Sequence, residues 1–416
     1  LTLITNGSFT LVYNLQTGKF DYQIDEMDMK AVSQTDESGR IYYTFRSGLY
    51  SRDLSKPQQA PVKLYDKAGS ANAMLIRDNK LYILNSDAIL LIKDLENGEI
   101  KSGKLNIPGQ PISIQSIMKG PDGRIWSGGY LAGGHAAYDP QTNKLTSYPG
   151  LHQTEGMTVK DQFIYFGIYP KGQMYEYNTA KEWDIKKSNP RFLGQIPDQS
   201  RPFAVVNEKL SGKIFFGMVP EYGKLGGALV SYDPRKQDLK SYGTVIPDQS
   251  LVSLISINGM LWGGTSVSGG LGVMPSTRVA KLFSWNVQEG RKAEEIVPVE
   301  GAYAITCLIQ GPDGNIWGMA GGTLFIFDPV NRKVLKKKEI YPTPVLKSHV
   351  WRDAFLIVHP SGMIYGSGGN QLFRIKPDTL QVEILTKPAS LLAMDNQGRI
   401  YFHRSAELWQ YDPGAK

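Results

Sequence analysis

Eight polar residues in consecutive stretches of the chain combine side chains that bind a carboxylate with side chains that can move a proton. They are His135, His152, Gln153, Glu155, Tyr169, Arg191, Arg201 and Tyr222. Arginine and amide groups neutralise a carboxylate and make the proton on the adjacent carbon more acidic, and a histidine or tyrosine can then remove that proton. The chemistry that this combination predicts is β-elimination from a sugar that carries a carboxylate.

Each residue has an expected role in such a reaction. His135 or His152 is the predicted base or the group that neutralises the carboxylate, and Tyr169 is the predicted base or acid. Arg201, together with Gln199, is the predicted carboxylate clamp. The residues predicted to contact the substrate are Gln153, Glu155, Arg191, Gln199, Tyr222, Gln249, Trp351 and Arg352. The tyrosine and tryptophan rings among them offer flat surfaces of the kind that sugars favour.

The pentapeptide IPDQS occurs twice, beginning at residues 196 and 246. In one interpretation, Gln199 and Gln249 extend their amides toward a polyhydroxylated ligand. In the other, Pro-Asp makes a turn in which the aspartate caps nearby backbone N–H groups, and the repeat is structural. Arg201 follows the first copy where the second copy has Leu251. This asymmetry indicates a local task for Arg201.

A tight turn followed by a short aromatic strand recurs along the whole chain. The copies include ESGRIYYTF, DNKLYIL, GPDGRIWSGG, DQFIYFG, SGKIFFG, NGMLWGG, GPDGNIWG, PSGMIYGSG and NQGRIYF. Glycine-containing turns, aromatic and β-branched strands and a closing Asp-Pro describe a β-hairpin. We count ten hairpins in units of about forty residues, the size of one propeller blade. The sequence therefore predicts an all-β fold: a single-domain β-propeller over residues 1–416, with eight to ten four-stranded antiparallel blades.

The connections between strands fall into two classes. Most are short turns, but four are long and rich in glycine: GGYLAGGH (128–135), GIYPKG (167–172), GMVPEYGKLGG (217–227) and GGTSVSGGLGVMPSTRVA (263–280). In a propeller blade these long loops all emerge on the same face as the connections that carry IPDQS. Long and varied loops on a rigid scaffold are where binding and catalysis usually reside. We therefore expect the candidate residues to meet on that face.

Composition sets limits on partners and location. The net charge of +7 and the pI of about 9.1 suit an acidic partner, for which we expect a polysaccharide or oligosaccharide. A nucleic acid is not expected, because Lys336-Lys337-Lys338 is the one dense basic run. No apolar stretch is long enough to span a membrane. We expect a secreted or cell-surface monomer whose signal peptide lies outside this numbering.

Several kinds of site lack their sequence signature. The single cysteine, Cys307, excludes an intrachain disulfide and a multi-cysteine metal cluster. H-E-x-x-H, G-x-S-x-G and the phosphate-binding G-x-x-x-x-G-K-[ST] are also missing from the sequence. No cofactor is predicted, although structural calcium bound by scattered loop oxygens stays open.

The repeated GPDGRIW and GPDGNIW segments resemble the repeat of virginiamycin B lyase-type propellers. A cleft with histidine, tyrosine and arginine also resembles the propeller polysaccharide lyases that act on ulvan or on rhamnose-glucuronic acid linkages. The counterparts that this second resemblance implies are His135 or His152, Tyr169 and Arg201. Together the resemblances imply a bacterial repeat propeller and, for its activity, a carbon–oxygen lyase.

Two other functions remain open from the sequence. The same face could bind a glycan or a protein without any catalysis. A glycoside hydrolase would need paired carboxylates in the cleft, and the available ones are Glu155, Asp198, Glu221 and Asp248. The leading hypothesis is a carbohydrate-active propeller that cleaves a uronic-acid-containing glycan by β-elimination.

Overall fold

The computed structural model describes residues 10–24, 31–106, 111–131, 133–343 and 349–414, together with the backbone of residues 2–5. In this part of the chain all regular structure is β-strand, apart from one 3-10 turn, Ile185–Lys187. The strands form ten antiparallel sheets, seven of four strands and three of three. The ten sheets confirm the ten hairpin units that the sequence predicted, and with them the all-β fold class.

The contacts between residues divide the chain into two compact units, residues 1–110 and residues 111–416. We call them unit 1 and unit 2 and describe each by itself. The expectation of a single domain over residues 1–416 stays a prediction. All candidate site residues belong to unit 2.

Unit 1 contains three sheets. Their strands are β1 Thr2–Thr5, β2 Thr10–Asn14 and β3 Lys19–Ile24; β4 Arg40–Phe45, β5 Gly48–Asp53 and β6 Val62–Tyr65; and β7 Ala71–Arg77, β8 Lys80–Asn85, β9 Ile89–Asp94 and β10 Ile100–Lys104. Neighbouring sheets bury apolar side chains between them: Val12 of the first packs with Ile41 and Tyr43 of the second. Tyr42 and Leu49 of the second pack with Leu81 of the third. Successive residues of β4 point to opposite faces of its sheet, so Ile41 and Tyr43 pack against the first sheet and Tyr42 packs against the third.

Unit 2 contains seven sheets, which we call blades 1 to 7. Blades 1 to 3 are β11 Ile114–Lys119, β12 Ile125–Gly129, β13 His135–Asp139, β14 Lys144–Tyr148; β15 Thr154–Lys160, β16 Phe163–Ile168, β17 Gln173–Asn178, β18 Arg191–Gln195; and β19 Gln199–Glu208, β20 Lys213–Pro220, β21 Ala228–Asp233, β22 Asp238–Thr244. Blades 4 and 5 are β23 Ser250–Ile257, β24 Met260–Ser266, β25 Leu282–Asn286, β26 Arg291–Ile296; and β27 Ile305–Gln310, β28 Ile316–Ala320, β29 Thr323–Asp328, β30 Lys333–Glu339. Blades 6 and 7 are β31 Phe355–Val358, β32 Ile364–Gly368, β33 Gln371–Lys376, β34 Gln381–Thr386; and β35 Ser390–Met394, β36 Ile400–Arg404, β37 Glu407–Tyr411.

The seven blades of unit 2 close into a ring. The first strand of each blade contacts the first strand of the next, and β35 of blade 7 contacts β11 of blade 1. At this last junction, Ile114 N–H donates a hydrogen bond of 2.9 Å to the carbonyl oxygen of Ser405. Ile125 packs there with Ala393 and Tyr401. The first strands therefore surround a common centre, where residues that are far apart in the sequence can come into contact.

The GPDG turns that led to the family resemblance have a structural cause. In each, the aspartate accepts a hydrogen bond from the indole N–H of the tryptophan four residues on, at 3.2 Å from Trp126 to Asp122. The tryptophan ring lies against the first glycine of the turn, so a Cβ at Gly120 would lie 2.5 Å from Trp126. The repeated sequence thus fixes a turn and a buried ring on the side of the blade away from the long loops.

The first strands of the blades carry the features that position the site. Most contain a β-bulge near their beginning, where the extra residue has no partner in the ladder. These extra residues include Gln115, Glu155, Phe203, Val252, Thr306 and Leu391. All of them line cavities at the centre of the ring. The bulges therefore direct one side chain from each of these blades toward the centre of the ring.

Candidate functional site

A polar cavity of about 380 Å³ lies at the centre of unit 2. Its walls come from five blades and from the segment that precedes blade 6. The lining residues are Ile114, Gln115, Tyr130, Gln153, Arg201, Phe203, Leu271, His349, Trp351, Arg352, Ser390, Leu391 and His403. We call this the central pocket. Its volume is in the range of small-molecule sites.

Glu155 is the carboxylate on which the charges of the central pocket converge. Its side chain is fully buried, and Arg201 forms a close ion pair with Oε1. Two amides also donate to it: Gln153 Nε2 to Oε1 at 2.8 Å and Gln115 Nε2 to Oε2 at 3.2 Å. A buried carboxylate needs such partners, because leaving it unpaired would cost several kcal/mol.

Arg352 reaches Glu155 from the other side of the ring. Its guanidinium donates to Glu155 Oε2 and to the main-chain oxygen of Glu155, both at 2.8 Å, and to the main-chain oxygen of Gln115. The same guanidinium lies 4.6 Å from the ring centroid of Phe203. Two arginines therefore share one carboxylate, so the buried cluster keeps one net positive charge.

Two aromatic rings lie close to the guanidinium group of Arg201. Its guanidinium carbon lies 3.7 Å from the ring centroid of Tyr169 and 5.2 Å from that of Trp351. Trp351 is held in turn by a hydrogen bond of 3.1 Å from its indole N–H to Gly269 O. The Nε of Arg201 is buried and has no hydrogen-bond partner among the described residues. A buried donor left unsatisfied is costly.

Tyr169 and Tyr222 form a hydroxyl pair beside Arg201. Their oxygens are 3.0 Å apart. The hydrogen bond from Tyr169, with the positive charge of Arg201, lowers the pKa of Tyr222, and the same bond raises the pKa of Tyr169. Tyr222 is half exposed and Tyr169 is partly buried. The pair can therefore release a proton from Tyr222 more readily than an isolated tyrosine could.

Neither histidine predicted to be catalytic lies in the central pocket. His135 is buried on β13, packed against Phe166 and Trp183 and bonded through Nε2 to Thr154 Oγ1. Burial lowers its pKa from 6.5 to about 4. His152 is exposed in the connection before β15 and does not line the pocket. The pocket contains two other histidines in their place, His349 and His403.

Three further predicted residues are engaged elsewhere. Arg191 lies on β18, an outer strand of its blade, where it pairs with Glu176 at 3.0 Å and donates to Tyr232 at 2.6 Å. Gln199 accepts from Ala228 N, and Gln249 donates to Val279 O at 3.0 Å. Both glutamines tie their connection to the long loop of the same blade. The two IPDQS segments therefore occupy equivalent positions in neighbouring blades, and a contact between their amides and a ligand stays a prediction.

The other candidate carboxylates, like Glu155 itself, are not part of the lining of the pocket. Asp198 forms a close ion pair with Lys224 at the surface, and Asp248 accepts from Ser276 at 2.7 Å. Among the described residues, those lining the pocket include no aspartate or glutamate, and Glu155 is committed to two arginines. The described part of the chain also has no group of three or more His, Cys, Asp or Glu side chains placed to hold a metal ion. Structural calcium stays a prediction.

Several pocket residues were missed by the sequence analysis. Gln115 and Phe203 are bulge residues, and a bulge has no distinct signature in a single sequence. His403 is the last residue but one of β36, and its position near the pocket depends on closure of the ring. A signal for His349 existed, since it lies two residues before Trp351 on the face that the sequence favoured. Its ring stacks on Trp351 with a centroid distance of 4.0 Å.

No protein-family model matches the chain, and no curated protein matches its sequence. Among the described residues, no helix is long and apolar enough to cross a membrane. The comparison that gives a result is therefore that of the fold.

Solved structures match this fold at low sequence identity. A streptogramin B lyase structure is 16% identical, with a TM-score of 0.56 over 74% of this chain and 94% of that chain. A catalytically inactive virginiamycin B lyase variant from Staphylococcus aureus, with quinupristin, is 13% identical, with a TM-score of 0.54 over 74% and 96%. PorZ, a surface component of the type-IX secretion system of Porphyromonas gingivalis, is 10% identical, with a TM-score of 0.53 over 99% and 73%. The chain is a repeat β-propeller that resembles the virginiamycin B lyase type.

Proposed function

We propose that unit 2 binds a uronic-acid-containing glycan in the central pocket and cleaves it by β-elimination. The observation that carries this proposal is the pairing of two arginines with one buried glutamate, which leaves a positive charge at the pocket. A carboxylate of the substrate is the complementary group. The proposal keeps the predicted substrate class and the predicted clamp residue Arg201, and it adds Arg352 to the clamp.

The surroundings of the two arginines fit a sugar. Phe203 and Tyr130 line the same pocket and offer apolar ring surfaces, and Gln115 brings a side-chain amide to its wall. Arg201 lines the pocket and can donate a guanidinium N–H to the incoming carboxylate. Such hydrogen bonds from cations draw charge from the carboxylate and so favour loss of the proton on the carbon beside it.

The leaving oxygen needs a proton, and the tyrosine pair can supply it. Tyr222 has its pKa lowered by the hydrogen bond from Tyr169 and by Arg201, so both stabilise the phenolate that forms when Tyr222 gives up its proton. In this mechanism Tyr222 is the acid and Tyr169 supports it. The sequence-based assignment of Tyr169 as base or acid is thereby shared between the two tyrosines.

Hydrolysis is a weaker candidate. Both mechanisms of glycoside hydrolysis use two carboxyl groups that flank the bond to be cleaved. Glu155 is fully buried between two arginines, and Asp198 and Asp248 bond to their own loops. The pocket as described offers a cation pair in place of a carboxylate pair.

A second candidate is a non-catalytic role at the cell surface. The similarity to PorZ extends over 99% of this chain and so includes both units, whereas that to the lyases covers 74%. A surface component could use the central pocket to bind an acidic glycan without cleaving it. In that case the pocket residues would matter for binding and no product would form.

The test is a screen of the purified chain against polygalacturonate, alginate, ulvan and neutral polysaccharides, following ultraviolet absorbance of unsaturated uronates and the release of reducing ends. Elimination predicts absorbance from an acidic glycan that Arg201→Gln abolishes and Arg191→Gln preserves. Arg191 is the matched control, because it is a paired arginine on an outer strand. Reducing ends without absorbance would indicate hydrolysis, and binding with neither signal would indicate the surface role.

A further inference from the structure

His403 lies near the end of β36 and lines the central pocket. Its Nδ1 is 3.0 Å from the main-chain oxygen of Ser405. A carbonyl oxygen can only accept, so Nδ1 must carry the hydrogen of this bond. In the neutral imidazole the lone pair is then on Nε2, which is the nitrogen left to meet a ligand.

The oxygen that orients His403 also closes the ring. Ser405 O accepts a second hydrogen bond, of 2.9 Å, from Ile114 N–H at the beginning of blade 1. A carbonyl oxygen has two lone pairs and can accept both bonds. Ser405 has a φ of 55°, the left-handed conformation, in the tight turn between β36 and β37. One carbonyl thus joins blade 7 to blade 1 and fixes the tautomer of His403.

The charges near His403 keep it neutral. Burial lowers its pKa, the hydrogen bond to Ser405 O opposes this, and the positive charge of Arg352 lowers the pKa further. A lowered pKa leaves the imidazole unprotonated near neutral pH, which is the state that a general base requires before it takes a proton. His403 is half-buried, so the ring is also reachable from the pocket.

We propose that His403 is the base of the elimination, an assignment that rests on the function proposed above. Nε2 takes the proton from the carbon next to the substrate carboxylate. The electron pair left on that carbon forms a double bond to the neighbouring carbon as the bond from that neighbour to the glycosidic oxygen breaks. The oxygen takes a proton from Tyr222, and no oxidant or reductant is needed.

His349 has a different environment from His403. Its ring is exposed and stacks on Trp351 at 4.0 Å between centroids. The exposed imidazole covers Trp351 and forms part of the pocket wall, which suits a surface on which a sugar ring packs. His349→Asn is therefore the comparison variant for sugar packing: it is expected to weaken binding and to lose far less kcat than His403→Asn.

The test compares wild type, His403→Asn and His349→Asn in the full chain. Asparagine keeps a donor near the position of Nδ1 for Ser405 O and removes Nε2, so His403→Asn is expected to fold and to keep the ring closed. We measure binding of D-glucuronate by calorimetry and product formation from the acidic glycan that wild type cleaves. We expect His403→Asn to bind within about twofold of wild type and to lose about 10²-fold or more in kcat.

The outcomes separate the base assignment from the proposed function. Product formation by His403→Asn at the wild-type rate overturns the assignment and leaves elimination intact. A loss of kcat in His349→Asn as large as that in His403→Asn also overturns it, because the proton acceptor is then not specific to His403. A wild-type protein that binds D-glucuronate and forms product from no acidic glycan overturns the cleavage reaction and the base assignment together.

Discussion

Arg352 and Glu155, which are 197 positions apart in the sequence, are joined by two hydrogen bonds of 2.8 Å across the centre of unit 2. One of these bonds reaches the carboxylate and the other reaches the main-chain oxygen. Arg352 therefore recognises both the side chain of Glu155 and the bulged backbone that carries it. Because the pair links blade 2 to the segment before blade 6, it contributes to the ring as well as to the pocket.

Replacing Glu155 by glutamine should destabilise unit 2. The substitution keeps the shape but leaves two buried guanidinium groups without a counter-charge, and breaking a buried ion pair typically costs about 3–5 kcal/mol. Chemical denaturation monitored by tryptophan fluorescence measures the loss. Asp198→Asn is the control, because its ion pair with Lys224 is exposed and should contribute little. Equal stability of Glu155→Gln and wild type would show that the cluster does not hold the ring together.

Replacing Arg201 by lysine should weaken the binding of acidic sugars by about tenfold or more. Lysine keeps the charge but loses the planar group that stacks on Tyr169 and Trp351, and it has no equivalent of the free Nε. Calorimetric titration with D-glucuronate checks this expectation. Arg191→Lys, on the outer strand, should bind as wild type does. If both variants bound equally well, the pocket would not be the carboxylate site.

The Tyr169→Phe substitution should move the alkaline limb of the kcat profile to higher pH. The hydrogen bond from Tyr169 lowers the pKa of Tyr222, so without it that pKa rises and Tyr222 stays protonated to a higher pH. An acid that must be protonated then remains active over a wider alkaline range, although with a lower kcat. Initial rates across the alkaline range test this. A profile that kept its limb while kcat fell would exclude Tyr222 as the acid.

His135 should make unit 2 less stable in mild acid. Its pKa is lowered from 6.5 to about 4 in the fold, so the unfolded chain binds a proton that the folded chain rejects. The stability contribution is complete above pH 6.5 and is lost as the pH falls toward 4, by up to about 3 kcal/mol. Denaturation midpoints between pH 7 and pH 4.5 should therefore fall less steeply for His135→Gln than for wild type. His152→Gln, at an exposed position, is the control and should keep the wild-type slope.

Substituting Gln249 by alanine should cost stability and leave binding unchanged. The side chain donates to Thr277 Oγ1 and Val279 O and accepts from Thr265, so its loss leaves buried polar groups unpaired at a cost of about 1–3 kcal/mol. Thermal unfolding and D-glucuronate titration measure the two effects separately. Weaker binding at unchanged stability would instead favour the interpretation in which the IPDQS amides face the ligand.

The blades could be predicted from the sequence because their information is local. Each hairpin contains all the residues that define it, such as the turn in GPDGRIW, the buried Trp126 and the following Asp-Pro. Each copy of the motif therefore predicts one unit. Arg201 could be singled out for a related reason, since a repeat that differs at one position points to that position. The division of the chain into two units depends on which blades have first strands in contact. Contacts between blades cannot be read from the sequence of a single hairpin.

The pocket was harder to predict because its residues meet through closure of the ring. Arg352 contacts Gln115 and Glu155 across the centre, and His403 approaches the pocket from the last blade. In the sequence His135 ends a long, glycine-rich loop, which favours a role as a base. In the structure strand β13 begins at that residue and packs it into the core. A histidine at the border between a loop and a strand can belong to either element. Here packing against Phe166 places His135 in the strand.

The bulges in the first strands divide each strand into two kinds of position with different freedoms. Ladder residues must preserve strand pairing and core packing. The extra residue has no ladder partner, so its side chain is constrained by the residues around the cavity that it lines. That position already holds an amide in Gln115, an acid in Glu155, an aromatic ring in Phe203, an aliphatic group in Val252 and a hydroxyl in Thr306. The chemistry at the centre of such a ring can therefore differ from blade to blade on one architecture, except where a bulge residue such as Glu155 also links the blades.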